Sequence, residues 1–254
     1  MPVIRDIQLS FLKVKEHTRN IEALQLTSTS NYDEDISFGK EMSSITSLYC
    51  RHMPKLRMDY EKGILIHCVD DISLLDEWEK KYRIFPEYMN VFVEYESVKA
   101  FPYLSDREKK ELALQIVHVE MKRLAVKYDW DIEELEKVKN KILELNYRNE
   151  FVYIKKSSPN KKYVCSITCQ HEVAYADVYL EIREYRTRRL IKKEKLIREE
   201  DMYKIFHHVS EVAWKLNHKV MLINNKGKTV WVLTFLEKDI PANLVWKIER
   251  IDWK

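Results

Sequence analysis

Two helical segments between Ser105 and Asn146 constrain the fold of this chain more than any other part. Ser105 followed three residues later by Glu108 is a capping-box pattern, in which each side chain binds a backbone amide of the other residue. Asp131 with Glu134 predicts the start of a second helix with a narrow apolar stripe. In the first helix, apolar residues recur at spacings of three and four, and therefore share one face. These residues are Ala113, Val117, Met121, Leu124, Ala125 and Tyr128.

Short segments with strand-like patterns flank these helices on both sides. Strands next to helices, with several strands joined by tight turns, indicate an α+β fold with mainly antiparallel sheets and packed helices. We expect an N-terminal half over residues 1–146 and a C-terminal half over residues 147–254, or one continuous domain. The predicted strands cover residues 3–11, 64–69, 90–97, 151–154, 163–171, 177–182, 220–223 and 229–235.

Three further patterns carry structural expectations. Residues 27–35 are polar and predict a surface loop, and residues 55–69 predict a hairpin that turns at Gly63. Residues 199–216 have helical spacing, with Leu216 on the apolar face. The last segment also repeats, 88 residues later, the spacing of the helix that starts near Ser105. A duplicated strand-helix unit explains this match, and so does the period that all amphipathic helices share.

Glycine is scarce in this chain, and its scarcity limits the possible functions. Gly39, Gly63 and Gly227 are the three glycines, where an average protein of 254 residues has roughly 18. Phosphate-binding loops, nucleophile elbows and dinucleotide-binding turns depend on glycine. No HExxH, GxSxG, GxxxxGK[ST] or CxxC motif occurs. We therefore expect no cofactor and no catalytic residue from these motif classes. Whether the chain is an enzyme stays open, and a non-catalytic protein is the favoured interpretation.

Two groups of residues resemble metal ligands. Cys165, Cys169 and His171 share one face of a predicted strand, but about 13 Å separates the two cysteines at about 3.3 Å per residue. Ligands of one zinc ion lie within about 4 Å of each other. His207 and His208, with Glu211 nearby, form the second group, which we interpret mainly as solvated helix positions. The sequence therefore predicts no metal site.

Three carboxylates are candidate functional acids. Glu120 falls inside the apolar arc of the first helix, where a charge must be paired or protonated. A Glu120–Arg123 ion pair is the simpler interpretation. Asp70 and Asp71 follow a strand that contains His67 and Cys68, a position at which enzymes often hold metal-binding acids. An ordinary strand end before a capped helix also explains these two residues and is the preferred interpretation.

A basic stretch runs from Arg183 to Arg198 and contains eight basic and two acidic residues. It could bind a polyanion, with nearby tyrosines stacking on bases. It could equally be a solvated sheet edge, where lysine and arginine discourage aggregation. Lys155, Lys156, Lys161 and Lys162 form a second basic cluster on the preceding predicted hairpin. The residues named for a polyanion site are Lys155, Lys156, Arg186, Arg188, Arg189, Lys192 and Lys193.

The preferred functional hypothesis is a non-catalytic cytoplasmic protein that acts through protein–protein contact with an unknown partner. An immunity or antitoxin-type inhibitor of a bacterial enzyme is one specific form of this hypothesis. The alternative is a nucleic-acid-binding protein that uses the region Lys155–Arg198, and an enzyme using the candidate acids ranks third. Four cysteines without a secretory leader favour the reducing cytoplasm, and no apolar run is long enough to predict a membrane span.

Overall fold

The computed structural model describes residues 2–12, 32–74, 87–235 and 246–251, and the chain divides into two compact units. The first unit is Met1–Arg148 and the second is Asn149–Lys254. Each unit has its own hydrophobic core. The division predicted from the sequence, between residues 146 and 147, lies two residues before this boundary.

The first unit contains a parallel sheet of three strands in the order β1-β2-β3. They are β1 (Asp6–Leu12), β2 (Gly63–Val69) and β3 (Tyr88–Glu94), and helix α1 (Tyr32–His52) lies between β1 and β2 in the chain. Every residue of the central strand β2 is buried, as is usual when a strand has a neighbour on each side and is covered on both faces.

The two predicted helices follow the sheet and are confirmed. Helix α2 (Asp106–Tyr128) begins at a capping box: the Ser105 amide donates to Glu108 Oε2 over 2.8 Å, and Ser105 Oγ accepts from the Glu108 amide over 3.3 Å. Helix α3 (Ile132–Glu144) begins at Asp131, whose carboxylate accepts two backbone amides. Short 3-10 helices cover Ile72–Leu74 and Glu96–Tyr103.

The apolar face of α2 lies in the core of the first unit. Ala113, Val117 and Met121 are fully buried, and Gln115 on the opposite side is exposed. The buried surface of α2 is wider than the predicted stripe, because α1 and α3 both contact this helix. The additional buried residues are Leu112, Leu114, Ile116, His118 and Glu120.

The second unit consists of two antiparallel sheets of four strands. One contains β4 (Asn149–Ser157), β5 (Tyr163–His171), β6 (Ala176–Glu184) and β7 (Leu190–Glu199) in chain order. The other contains β8 (Glu211–Lys215), β9 (Lys219–Ile223), β10 (Thr229–Phe235) and β11 (Trp246–Arg250) in the order β11-β10-β9-β8. Buried side chains of both sheets form one core, so the sheets pack as a sandwich.

The α+β class with mostly antiparallel sheets is therefore confirmed. None of the helices in the described part of the chain combines the length and the apolar character needed to cross a membrane.

The helix predicted over residues 199–216 is wrong. This segment holds a 3-10 helix (Met202–Lys204), the short helix α4 (Ile205–His208) and strand β8. Ile205, Val209 and Val212 are buried, but Leu216 is 71% exposed. β-Branched and aromatic residues favour a strand, and pairing of β8 with β9 satisfies their backbone groups. The duplication that required this helix is therefore not supported by these residues.

The predicted hairpin and the predicted loop are also corrected. Strand β2 pairs in parallel with β1 and β3, and residues 55–62 contribute only an isolated bridge at Arg57. The continuous apolar run Ile64–Val69 is typical of a buried parallel strand, not of a half-exposed hairpin. Helix α1 already begins at Tyr32, so residues 32–35 are helical, and the rest of the predicted loop lies outside the described residues.

Candidate functional site

The structure distributes the predicted polyanion residues over both edges and one end of the β4–β7 sheet. Lys155 and Lys156 lie on edge strand β4, and Lys192 and Lys193 lie on the opposite edge strand β7. The three arginines Arg186, Arg188 and Arg189 lie in the turn between β6 and β7 and are exposed. The seven residues therefore do not form one patch.

Lys193 is neutralised by carboxylates on the outer face of this sheet, which points away from the sandwich core. Its ammonium group lies 3.1 Å from Glu150 and 3.1 Å from Glu181, and 4.5 Å from the centre of the Tyr179 ring. Burial alone would lower the pKa of Lys193, but hydrogen bonds to the two carboxylates raise it above its usual value. This lysine holds the sheet face together and is not available to a phosphate.

Asp177 organises a second ion-pair group on the same face. Arg198 Nε and Lys195 Nζ each lie 2.7 Å from its Oδ1 atom, and the Arg198 guanidinium lies 3.5 Å from the centre of the Tyr175 ring. The hydrogen bond from Arg198 is the main reason that the pKa of Asp177 lies below its usual value. Much of the positive charge of β7 is thus compensated within the sheet.

These buried carboxylates predict acid sensitivity of the second unit. Burial raises the pKa of Glu181, but hydrogen bonds from Arg183 and Lys193 hold it below the usual 4.5. A carboxyl group with a lowered folded-state pKa contributes stability above its unfolded-state pKa, and this contribution is lost as pH falls through the folded-state pKa. We expect the unfolding free energy, measured by urea denaturation and tryptophan fluorescence, to fall below about pH 4.5.

In Glu181→Gln, that decline should be smaller, because the titrating group is gone. Glu194→Gln on the exposed part of β7 is the matched control and should behave like the wild type. An unchanged acid decline in Glu181→Gln would contradict the assignment.

The turns at one end of this sheet bring further cations together. The Tyr185 amide donates to the Lys162 carbonyl over 2.8 Å, which joins the β6–β7 turn to the β4–β5 turn. Lys161 and Lys162 are exposed beside the exposed arginines of the β6–β7 turn. Glu184 lies 3.8 Å from Arg189 in an exposed pair, which contributes little stability. Among the residues that the structure describes, this end of the sheet therefore keeps a net positive charge.

Glu120 is paired as its spacing suggested. Its carboxylate is buried and lies 2.7 Å from the Arg123 guanidinium, whose side chain is exposed. The exposed Arg123 guanidinium therefore compensates the charge of the buried Glu120 carboxylate at the edge of α2. A catalytic role for Glu120 stays a prediction.

Asp70 and Asp71 follow the carboxyl end of β2 and are half-buried. Asp71 Oδ1 accepts hydrogen bonds from the amide and the hydroxyl group of Ser73, over 3.0 and 2.6 Å. Glu94, at the end of the neighbouring strand β3, accepts the Ile72 amide over 3.4 Å. The contacts of Asp71 and Glu94 fit the turn that leads away from β2.

Neither of the two possible metal groups forms a site. Cys165 and Cys169 are buried in the sandwich core, and burial raises the pKa of the Cys165 thiol well above its usual value. His208 pairs with Glu199 over 2.7 Å, and Glu211 lies on β8 with its carboxylate 3.7 Å from Lys156. Across the described ranges, no three His, Cys, Asp or Glu side chains are grouped closely enough to hold a metal ion.

A polar network on the parallel sheet was not predicted from the sequence. Ser10 Oγ lies 2.6 Å from His67 Nδ1, and His67 Nε2 lies 3.0 Å from Asn90 Oδ1. The three residues come from β1, β2 and β3, on the sheet face opposite to the buried helices. The His67 ring is buried and stacks on Phe92 with 4.8 Å between ring centres.

The hydrogen bonds of this network define the state of the histidine. Asn90 Oδ1 accepts from Nε2, so Nδ1 carries no proton and accepts from the Ser10 hydroxyl. Burial lowers the pKa of His67, which keeps the ring neutral. A second group on the same face joins Asp6, Gln8 and Tyr88, with the Tyr88 hydroxyl 2.7 Å from Asp6 Oδ2. Both groups link β1 to β3 across the central strand.

Comparisons with protein-family models, curated proteins and solved structures found no match to this chain.

Proposed function

We propose that this chain is a non-catalytic binding protein that acts through protein–protein contact, and that helices α2 and α3 carry the contact surface. The observation that supports this proposal is a pair of exposed apolar stripes on neighbouring helices. Val119 and Val126 are 55% and 76% exposed on α2, at a spacing of seven residues. Ile132 and Leu143 are exposed on α3.

An ion pair joins the two stripes. Lys122 lies between the two valines on α2, and its ammonium group lies 2.6 Å from the Glu136 carboxylate, which lies between the exposed apolar residues of α3. His118 Nε2 lies 3.2 Å from the same carboxylate. Side chains at spacings of three, four and seven residues share a helix face, so the four apolar side chains surround this ion pair. We name this surface the α2/α3 face.

Exposed apolar side chains grouped around a polar group are typical of surfaces that bind another protein. The folded first unit does not need Val119 or Val126 in its core, since both lie on the solvent side of α2. An inhibitor of the immunity or antitoxin type is one specific form of this function. The cytoplasm is the proposed location, where the four cysteines would remain thiols.

The test is a pull-down from extracts of the organism that encodes the chain, with retained proteins identified by mass spectrometry. We expect the double variant Val119→Asp, Val126→Asp to lose a protein that the wild type retains. Valine and aspartate have similar helix propensities and both positions are exposed, so the unfolding free energy should change by less than about 1 kcal/mol.

Val152→Asp on strand β4 is the matched control, because it places the same change at an exposed valine of the second unit. It should retain the partner. Equal capture by the wild type and both variants, or no capture by any of them, would contradict a contact through the α2/α3 face.

A second candidate function is nucleic-acid binding by the second unit, as the sequence alternative over Lys155–Arg198 suggests. The three exposed arginines of the β6–β7 turn, which share Glu184 as the one acidic residue of that turn, favour it. Several other cations of the region form ion pairs with Glu150, Glu181, Asp177 and Glu211. These ion pairs argue against a continuous phosphate-binding face.

A further inference from the structure

We infer that three turns at one end of the sandwich form a binding site for the phosphate backbone of a nucleic acid. The inference rests on the second candidate function, narrows the predicted region Lys155–Arg198 to one end of the sandwich, and adds the turn at residues 215–218. We name this site the three-turn end. Its turns are residues 158–162, 184–189 and 215–218.

Hydrogen bonds fix the three turns beside each other. The first two are joined by the bond from the Tyr185 amide to the Lys162 carbonyl. The third joins through Asn217, whose Oδ1 atom accepts the Asn160 amide over 3.1 Å. Trp214 Nε1 donates to the Lys156 carbonyl over 3.0 Å just before that turn. These contacts bring together cations that are up to 54 residues apart in the sequence.

The charge of this end is strongly one-sided. Glu184 is the single acidic residue within the three turns. Against it stand six exposed cations. They are Lys161, Lys162, Arg186, Arg188, Arg189 and Lys215.

The two units differ in charge in the same direction. Residues 1–148 carry 23 Lys and Arg against 27 Asp and Glu, a formal charge of −4. Residues 149–254 carry 21 against 14, a formal charge of +7. On the β4–β7 sheet face, Asp177 and Glu181 offset the neighbouring cations, whereas Glu184 is the one carboxylate that pairs with a cation of the three turns within the described ranges. The positive potential of the second unit is therefore concentrated toward the three-turn end.

The chemistry of the site favours phosphate over a protein surface. Lysine is depleted in protein–protein interfaces, while clustered Lys and Arg are the usual means of binding a nucleic-acid backbone. The Arg188 guanidinium lies 5.3 Å from the centre of the Tyr185 ring and covers it, so this ring is not an open platform for a base. We therefore expect contacts to phosphates, with little dependence on base sequence.

The probe is a fluorescein-labelled single-stranded DNA of 20 nucleotides with mixed sequence, titrated with the full chain and followed by fluorescence anisotropy. Binding should be measurable at 50 mM NaCl and weaken steeply by 200 mM. With about four phosphate contacts, the slope of log affinity against log salt should be about −3, from about −0.7 per contact for single strands.

Three double variants with equal charge change locate the site. Lys161→Glu with Lys162→Glu should weaken binding at least about tenfold. Lys226→Glu with Lys228→Glu, in the exposed turn between β9 and β10, is the matched control and should bind within about threefold of the wild type. Lys155→Glu with Lys156→Glu tests the location that the sequence suggested. Circular dichroism establishes that each variant is folded.

The outcomes separate the location from the function. Loss confined to the Lys161 and Lys162 variant supports the three-turn end. Loss confined to the Lys155 and Lys156 variant, or equal loss in all three, overturns this location while nucleic-acid binding stands. No binding by the wild type at 50 mM NaCl overturns both. Equal affinity for polyglutamate, or binding to vesicles containing 30% phosphatidylserine without binding to DNA, assigns the charge to another class of ligand and overturns the inference.

Discussion

Met121→Ala is expected to lower the unfolding free energy by about 2–5 kcal/mol. The Met121 side chain is fully buried in the middle of α2, within the core that the parallel sheet shares with the helices. Truncation removes its transfer free energy and leaves a cavity that close-packed neighbours fill only in part. The measurement is urea denaturation followed by circular dichroism at 222 nm, because helices α1, α2 and α3 all belong to the first unit.

Gln115→Ala is the control on the same helix. Gln115 is exposed on the opposite side of α2, and alanine has a higher helix propensity than glutamine. We expect a change within about 0.5 kcal/mol. Similar losses at both positions would mean that the buried face of α2 is assigned wrongly.

Local signals made the helices of the first unit predictable. The capping box at Ser105 and the cap at Asp131 are short-range patterns whose hydrogen bonds form within one helical turn. The apolar spacing of α2 identified its buried face correctly, since one helix face is enough to define which residues turn inward. Leu114 and Ile116 are buried as well, outside the predicted stripe, and α2 also contacts α1, a helix far away in the sequence.

The helix predicted over residues 199–216 is wrong for a different reason. Apolar residues at spacings of three and four also fit a short helix followed by a turn and a strand, and the buried residues Ile205, Val209 and Val212 satisfy both arrangements. Pairing of β8 with β9 stabilises the arrangement that contains a strand. This pairing is a tertiary contact, which the spacing of apolar residues along the chain does not reveal.

The three-turn end was predicted only in part: Lys161, Lys162 and its arginines belong to the predicted basic clusters, but the turn at residues 215–218 does not. Turns are usually recognised by glycine, but this chain places Lys161, Arg188 and Leu216 at backbone φ angles of 53°, 61° and 61° instead. The sequence prediction grouped basic residues because they are close together in the chain. The structure joins the arginines of the basic stretch to lysines of two other turns and pairs several of its lysines with acids.

The network of Ser10, His67 and Asn90 could not be predicted from the sequence, because it depends on the register in which the parallel strands β1, β2 and β3 pair. One serine, one histidine and one asparagine on separate strands carry no spacing signal. Pairing of Ser10 with His67 across β1 and β2 depends on the crossover through α1. His67 stood out only as a polar residue within an apolar run, and its two partners became known with the sheet order.

His67 should make the stability of the first unit depend on pH. Burial lowers its pKa in the folded protein, so between that value and the ordinary 6.5 the unfolded chain binds more protons. The unfolding free energy must then fall as pH decreases below 6.5. In the charged ring, Nδ1–H can donate a hydrogen bond to the Ser10 hydroxyl oxygen, so the destabilisation arises from burying the imidazolium charge and not from a lost hydrogen bond.

His67→Gln removes this titration and leaves Ser10 or Asn90 without its ring partner, which should cost about 1–3 kcal/mol at pH 7. The unfolding free energy, measured by urea denaturation at 222 nm from pH 7.5 to 5, should depend less on pH in this variant than in the wild type. Burial also lowers the pKa of His118, although Glu136 opposes this effect, so His118→Gln is the control and should keep the contribution of His67. A pH dependence that is the same in His67→Gln and in the wild type would show that the buried ring does not titrate in this range, and that Ser10 and Asn90 serve only to align the three parallel strands.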